Sequence, residues 1–410
     1  MNSQRRKIRT FLCLVVVLLL VLANFHTSLL APLSHARQLL GIRTIETLTR
    51  SAAGNRTLGF HSIKFINIPT RFDRLDAVRL QAYLSGLDVT EQPAVLPSEL
   101  NPVGMPPSSN PQDLKPGEKG CWRAHANIWS EIVEKNLPPT LIIESDAAWD
   151  IDVRHIMALL NEQFTGLLHQ LGSKPIYTHD VKDDRVETDA KKGHQNVQLE
   201  SVLRENPDDP WHSDHWDILS LGNCFDQQKS PTSYLKYKDP YVPEGKDYFG
   251  QILGKERVVH QSGGFVCTTA YAITQRGAAK LLLRTAFDFN MQVDLIIKDM
   301  IADGELVAYT TIPTVMAQWH YVDGLGMEDR GANSDIQGTK GEPSTNNGNE
   351  GWELPVGSEV DMSGWEKAKK AKSVWMVKPS HPNIAFSRMA LQVAWDIIFS
   401  GEKDIKQRYP

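Results

Sequence analysis

Glu144 and Asp146, two acids at the end of an apolar run, are the residues in this sequence with the clearest chemical use. They close the segment Thr140-Leu141-Ile142-Ile143-Glu144-Ser145-Asp146, whose apolar part reads as a short buried strand. In open α/β sheets, ligands gather outside the carboxyl ends of strands, where loops converge on a crevice. Two carboxylates two residues apart can there share a hard divalent cation, Mg²⁺ or Mn²⁺. Such a cation takes oxygen ligands and commonly keeps a substrate phosphate among them. It would neutralise a diphosphate leaving group as the bond to it breaks. An ordinary strand exit decorated with acids has the same local sequence, so the triplet alone leaves both readings open.

Other residues could serve such a site. Arg71 and Arg74 follow the first strand-like run, where a guanidinium can hold a phosphate through paired hydrogen bonds or lie against a base. They also fit a solvated helix start. His125 shares a helical face with Trp122, Ile128, Trp129 and Ile132, either as a core histidine or as a substrate contact. The segment from Trp211 to Asp217 is metal-like in composition. On a regular strand, however, His212, Asp214 and His215 could not all reach one ion, because neighbouring side chains point oppositely. A metal-dependent hydrolase built on that cluster is the competing class of function, and no H-E-x-x-H helix accompanies it.

The elements that must position these residues alternate. A strand is expected over 62–68, a helix through Leu75, Val78, Leu80 and Leu84, and a proline-rich loop over 93–116. A helix over 121–133, the strand at 140–143 and a helix over 157–171 follow. A charge-rich insertion is expected over 182–209, then a strand at 216–222 and a loop-rich stretch over 225–256. A β-like run at 265–273 and a helix over 275–284 come next. Such alternation predicts an α/β fold with a mostly parallel sheet.

The chain has 410 residues and a formal net charge of -5, which gives no whole-chain attraction to nucleic acid. Mean hydropathy is negative, so any membrane segment must be local. Arg5, Arg6, Lys7 and Arg9 precede an apolar stretch over 11–33, just long enough for one bilayer-spanning helix with its basic flank in the cytosol. The same stretch fits a cleaved signal peptide. Both readings send the remainder into the secretory pathway, as a single-pass type II protein of the Golgi or endoplasmic reticulum or as a secreted one. Asn55-Arg56-Thr57 is an N-glycosylation acceptor suited to that compartment. Of the four cysteines, Cys13 lies in the apolar stretch. Cys224 with Cys267 is one possible disulfide, and three buried thiols the alternative. The expected division is a cytosolic tail (1–10), an anchor helix (11–33), a stem (34–59), a catalytic domain (60–340) and a flexible C-terminal extension (341–410).

The order of short motifs resembles glycosyltransferase family 25, which includes bacterial lipooligosaccharide and collagen galactosyltransferases. The blocks are Ile66-Asn67-Ile68 with Arg71 and Arg74, then Gly117-Glu118-Lys119-Gly120-Cys121 with His125 and Trp129, then Leu141 to Ala147. Trp216 to Gly222, Tyr271-Ala272-Ile273 with Gly277-Ala278-Ala279, Val293-Asp294, and Pro313 to Gln318 with Ser334-Asp335-Ile336 complete the series. Ser145 stands where the family pattern has an acid, Ala124 replaces a serine, and Gln292 replaces a proline. The resemblance implies a single Rossmann-like domain of the GT-A type, a UDP-sugar donor, a glycan or glycoprotein acceptor, Mn²⁺ or Mg²⁺, and inversion at the anomeric carbon. By the same resemblance Asp294 is the candidate base. Asn67, Arg71, Arg74, His125 and Asp217 would line the nucleotide-sugar site, and His320 would join Glu144 and Asp146 on the metal.

Overall fold

The computed structural model describes residues 51–110, 114–172, 206, 208–228, 233–243, 246–248, 251–321, 377–379 and 386–399. The apolar stretch over 11–33 and the charge-rich insertion up to residue 205 lie outside them. Among the described residues, no helix is long and apolar enough to cross a membrane.

The first half of the chain lays down β1 (Ile63–Asn67), α1 (Phe72–Ser85), β2 (Val89–Pro93), α2 (Pro116–Glu134), β3 (Thr140–Glu144), β4 (Ala147–Trp149) and α3 (Val153–Gln170). Then come β5 (Ile218–Gly222), β6 (Phe225–Gln228), β7 (Tyr234–Lys238), β8 (Lys246–Tyr248), β9 (Gln251–Leu253), β10 (Glu256–Val266) and β11 (Ala270–Ile273). Helices α4 (Gln275–Phe287) and α5 (Val293–Ala302), strands β12 (Ala308–Ile312), β13 (Met316–Tyr321) and β14 (Val377–Pro379), and α6 (Ala390–Phe399) complete the order. The main sheet runs β2-β1-β3-β11-β5-β12-β10-β6, with β7 also on β10. Only β10 and β11 run against the other strands of this sheet. The architecture is therefore mixed α/β with a mostly parallel central sheet, consistent with a Rossmann-like GT-A fold.

The uninterrupted apolar run of β3 has a direct cause: helices cover both faces of the sheet. Leu141 and Ile143 face a core that includes Val78 of α1 and Ile156, Leu160 and Phe164 of α3. Ile142, pointing the other way, joins Ile128 and Trp129 of α2, Leu281 of α4 and Ile297 of α5. A polar side chain at any of these three positions would be desolvated without a partner.

Two segments differ from the sequence expectation. Residues 51–59, read as the end of a stem, are part of the core: Ala53 and Leu58 are fully buried, and Arg154 Nε donates to the Gly54 carbonyl at 2.7 Å. The stretch read as loop-rich supplies β6 to β9.

Helix α2 approaches the β2 end of the sheet so closely that residue 120 must lack a side chain. A Cβ on Gly120 would stand 2.3 Å from the Val95 carbonyl oxygen. In an open helix Gly→Ala would stabilise by about 1 kcal/mol, but here the clash reverses the sign. Gly120→Ala should lower the thermal unfolding midpoint, with a net loss of roughly 1–3 kcal/mol as for other overpacked sites. An unchanged or raised midpoint in a melting experiment would refute this account of the contact.

Candidate active site at the end of the central strand

Strand β3 ends at Glu144, a two-residue turn carries Ser145 and Asp146, and β4 then joins a second, three-stranded sheet through β13. The backbone of this turn is held from three sides. Glu144 N–H donates to Thr269 at 3.0 Å, Ser145 N–H to Ile66 at 3.1 Å, and Asp146 C=O accepts from Trp319 N–H at 2.9 Å. The acids are thus fixed where the chain crosses from one sheet to the other, at the carboxyl ends of β1 and β3.

Each carboxylate has its own surroundings. Asp146, 5% exposed, accepts from Gln318 Nε2 at 2.9 Å and faces the Arg74 guanidinium at 3.4 Å. Glu144 accepts the Thr268 hydroxyl at 2.5 Å, and His125 Nε2 stands 3.7 Å away. Burial by itself raises the Glu144 carboxyl, but the His125 imidazole, the Thr268 hydroxyl and the Arg74 guanidinium outweigh it and hold the group below its ordinary value. Asp294, in the first turn of α5, accepts from Cys267 N–H at 2.9 Å and Leu295 N–H at 3.0 Å.

The Cys121 thiol reports how these groups converge. Burial pushes it well above its usual value, and the negative charges of Glu144, Asp294, Asp146 and Glu118 add to the shift in that order. Four acids from α2, the β3 turn and α5 therefore act on one point. Glu118 has a structural part in this: it caps α2 through Lys115 N–H at 2.7 Å and accepts from Gln292 Nε2 at 3.0 Å. Gln292, where the family pattern has proline, thus ties the start of α5 to the start of α2.

Of the remaining expected residues, Asn67 is fully buried at the end of β1 and donates to Glu91 at 3.2 Å, one residue beyond Ile66, the partner of Glu144. Arg71 forms a paired contact with Asp73 at 2.9 and 2.8 Å, next to the same end of the sheet. His320 follows Trp319 on β13, two residues from Gln318 and so on the same strand face. Asp217 is elsewhere. Ile273 of β11 pairs with both Thr140 and Ile218, so Asp217 lies beside the start of β3, roughly 17 Å along the strands from Glu144. It is fully buried, bonded to Arg276 at 2.7 Å, Lys280 at 2.9 Å and Val307 N–H at 2.9 Å. The expectation that Asp217 lines the sugar-nucleotide site is therefore corrected: it is an ion-pair hub at the opposite end of the sheet.

His212, Asp214 and His215 share that opposite end, at a 3₁₀ turn that precedes the strand, and their ligand atoms do not gather. Trp149 is core, donating to Ser85 Oγ at 2.9 Å. Thr268 and Gln318, each bonded to one of the two acids, were not singled out from sequence. Gln318 closes a motif block, whereas nothing marked Thr268.

The sequence pattern of glycosyltransferase family 25 (LPS biosynthesis protein) matches residues 71–297, more than half of the chain, and the chain belongs to that family. Its similar relatives include procollagen galactosyltransferase 2 of Mus musculus, 29% identical over 117 residues, which are 26% of this chain and 19% of that protein. The Homo sapiens counterpart is 30% identical over 105 residues, 23% of this chain and 17% of the relative. Procollagen galactosyltransferase 1 of Danio rerio gives the same figures. The match thus spans under a fifth of these relatives' length. Family and relatives together support a glycosyltransferase.

Cys224 and Cys267 are joined in a disulfide. Cys267, at φ +68°, is in the left-handed region, which sends its N–H to Asp294 while the next residue, Thr268, reaches Glu144. The bridge closes 43 residues of sequence, a constraint worth about 4 kcal/mol in the chain-entropy account. Replacing both cysteines by serine should therefore destabilise the fold by a few kcal/mol in urea titration. An unchanged transition midpoint would show that the bridge constrains nothing.

Proposed function

We propose that this protein transfers a hexose, galactose from UDP-galactose, to a glycan or glycoprotein acceptor with inversion, at a site built on Glu144, Asp146 and Asp294. The observation that carries the reading is that Glu144 and Asp146 lie at the carboxyl end of β3, while Asp294 of α5 binds Cys267, the neighbour of the Thr268 that binds Glu144. The galactosyl donor is taken from the names of the relatives.

The donor set suits a hard cation. Glu144 and Asp146 offer carboxylate oxygens, and His320 follows the strand residue whose N–H binds the Asp146 carbonyl. These three would hold Mn²⁺ or Mg²⁺, which when bound would balance charge on the departing diphosphate. The chain's own residues do the rest. Arg74, beside Asp146, adds fixed positive charge, and Arg71 lies at the same sheet end, where nucleotide phosphates would sit. Asn67 and His125 border the same space.

Asp294 is the base. Two backbone N–H groups orient its carboxylate, which keeps lone pairs for an acceptor hydroxyl. As the acceptor oxygen bonds to the anomeric carbon, the bond from that carbon to the diphosphate oxygen breaks, and the hydroxyl proton passes to Asp294.

The setting proposed is the lumen of the Golgi or endoplasmic reticulum, with residues 11–33 as a type II anchor. The disulfide supports an oxidising compartment. Asn55 supports it too: the residue is exposed, and its Oδ1 accepts from Thr57 N–H at 2.8 Å, leaving its amide nitrogen open to a glycan.

Purified protein should release UDP from UDP-galactose only when Mn²⁺ or Mg²⁺ is present. Asp146→Asn should lower that rate by about 100-fold or more, the scale of removing one charge-stabilising group. Asp294→Asn should lower transfer by roughly 10²–10⁴-fold while leaving UDP affinity intact. Metal-independent turnover, or a fully active Asp146→Asn, would overturn the reading. UDP binding without turnover of any UDP-hexose would favour an inactive sugar-nucleotide-binding member, the reading that Ser145 leaves open.

A further inference from the structure

Beside the two acids is a set of donors that a manganese or magnesium site does not call for. Cys121 and His125 are one turn apart on the same face of α2, and Glu144 meets them from the end of β3. One ligand atom from each, a sulfur, an imidazole nitrogen and a carboxylate oxygen, lies within 4.8 Å of the other two. Among the described residues this is the one such group of three. Asp146 is not a member of it.

The histidine supplies an independent observation. His125 is 1% exposed, and its Nε2 has no hydrogen-bond partner among the described residues. A buried ring nitrogen without a partner carries a desolvation cost of about 1–3 kcal/mol unless a ligand meets it. Its other nitrogen, Nδ1, lies 2.9 Å from the Tyr271 hydroxyl, which also accepts from Trp129 Nε1 at 3.0 Å. Without an ion, Nε2 points its N–H toward Glu144 at a distance too long for a full hydrogen bond. When a cation binds, the ring proton sits on Nδ1, donated to Tyr271, and the Nε2 lone pair meets the cation. This is the outer-shell arrangement that orients metal-binding histidines.

We propose that Cys121 Sγ, His125 Nε2 and Glu144 Oε1 bind a thiophilic divalent cation of the zinc class, with water as the fourth ligand. Thiolate and imidazole donors select zinc-like ions, whereas Mg²⁺ and Mn²⁺ prefer all-oxygen sets. Zinc bonds of about 2.0–2.3 Å place tetrahedral ligand atoms roughly 3.3–3.8 Å apart. The His125–Glu144 separation of 3.7 Å already falls in that range. Cys121, half-buried, closes the rest by a shift of about an ångström. On binding, the thiol proton leaves to solvent and the sulfur–metal bond takes its place. Because Glu144 is shared with the proposed donor site, zinc bound here withdraws one oxygen from the catalytic cation and inhibits the transferase.

The test uses full-length protein stripped with a chelator. Titration with Co²⁺ should give a thiolate-to-cobalt charge-transfer band in the near ultraviolet. The band should be absent in Cys121→Ser and kept in Asp146→Asn, the variant that removes donor turnover, so the two sites fail separately. Equilibrium dialysis of Asp146→Asn should retain one Zn²⁺ per chain, and Tyr271→Phe should weaken that binding by roughly 10–100-fold. A measurement on the unmodified protein covers the case of a Cys121→Ser chain that does not fold. Zn²⁺, but not Mn²⁺, should slow alkylation of Cys121, read by mass spectrometry. No cobalt–thiolate band in the unmodified protein, or alkylation of Cys121 at the same rate with and without Zn²⁺, would overturn the proposal.

Discussion

Three backbone hydrogen bonds at the end of β3 decide where everything else in the site can be. Glu144 is fixed to Thr269 just before β11, Ser145 to β1 and Asp146 to β13, so the acidic turn is an obligatory crossing between two sheets rather than a free loop. The apolar residues before it are buried on both faces, and a slip that drew Glu144 into the position of Ile143 would bury its carboxylate in the apolar core. The exposed-looking acids are therefore located by a strand that carries no chemistry itself. A second device works from behind. Arg257, fully buried and paired with Asp239 at 2.7 Å, donates to the carbonyls of Pro313 and Thr314 and so holds the segment that leads into β13.

The charge balance around that turn is uneven. Glu144, Asp146, Asp294 and Glu118 all raise the Cys121 thiol, while Arg74 sets a positive charge against Asp146. Like charges in one neighbourhood do not stabilise one another. Their carboxylates are kept in place by neutral donors, Thr268, Gln318, Gln292 and the backbone of Cys267 and Leu295. By contrast Asp217, with two cations and a backbone donor, is saturated and structural.

Much of this could be read from the sequence. The buried strand and its two acids and the apolar face of α2 were visible because each is a local pattern, whereas the Cys224–Cys267 pairing, 43 residues apart, was only one of two options. What failed was the step from order to position. A motif block containing Asp217 follows the others along the chain, but only sheet register shows that an aspartate before β5 sits at the wrong end. Register was also needed to place Glu144 beside Cys121 and His125, whose four-residue spacing alone is ordinary in a helix. Ala147–Trp149 is too short and too closely coupled to the acidic turn to announce a second sheet. Residues 51–59 looked like a stem because their core contribution rests on just a few buried side chains, among them Ala53 and Leu58.

The central claim is that the β3 turn holds the cation and, through it, the donor diphosphate. Crystals grown with UDP and Mn²⁺ test it most directly, by the anomalous signal of manganese. The account predicts a single strong peak bound by Asp146 and Glu144, with the diphosphate of UDP on its open side. A peak at His212, Asp214 and His215, or UDP bound at the β3 turn with no metal near Asp146, would contradict it.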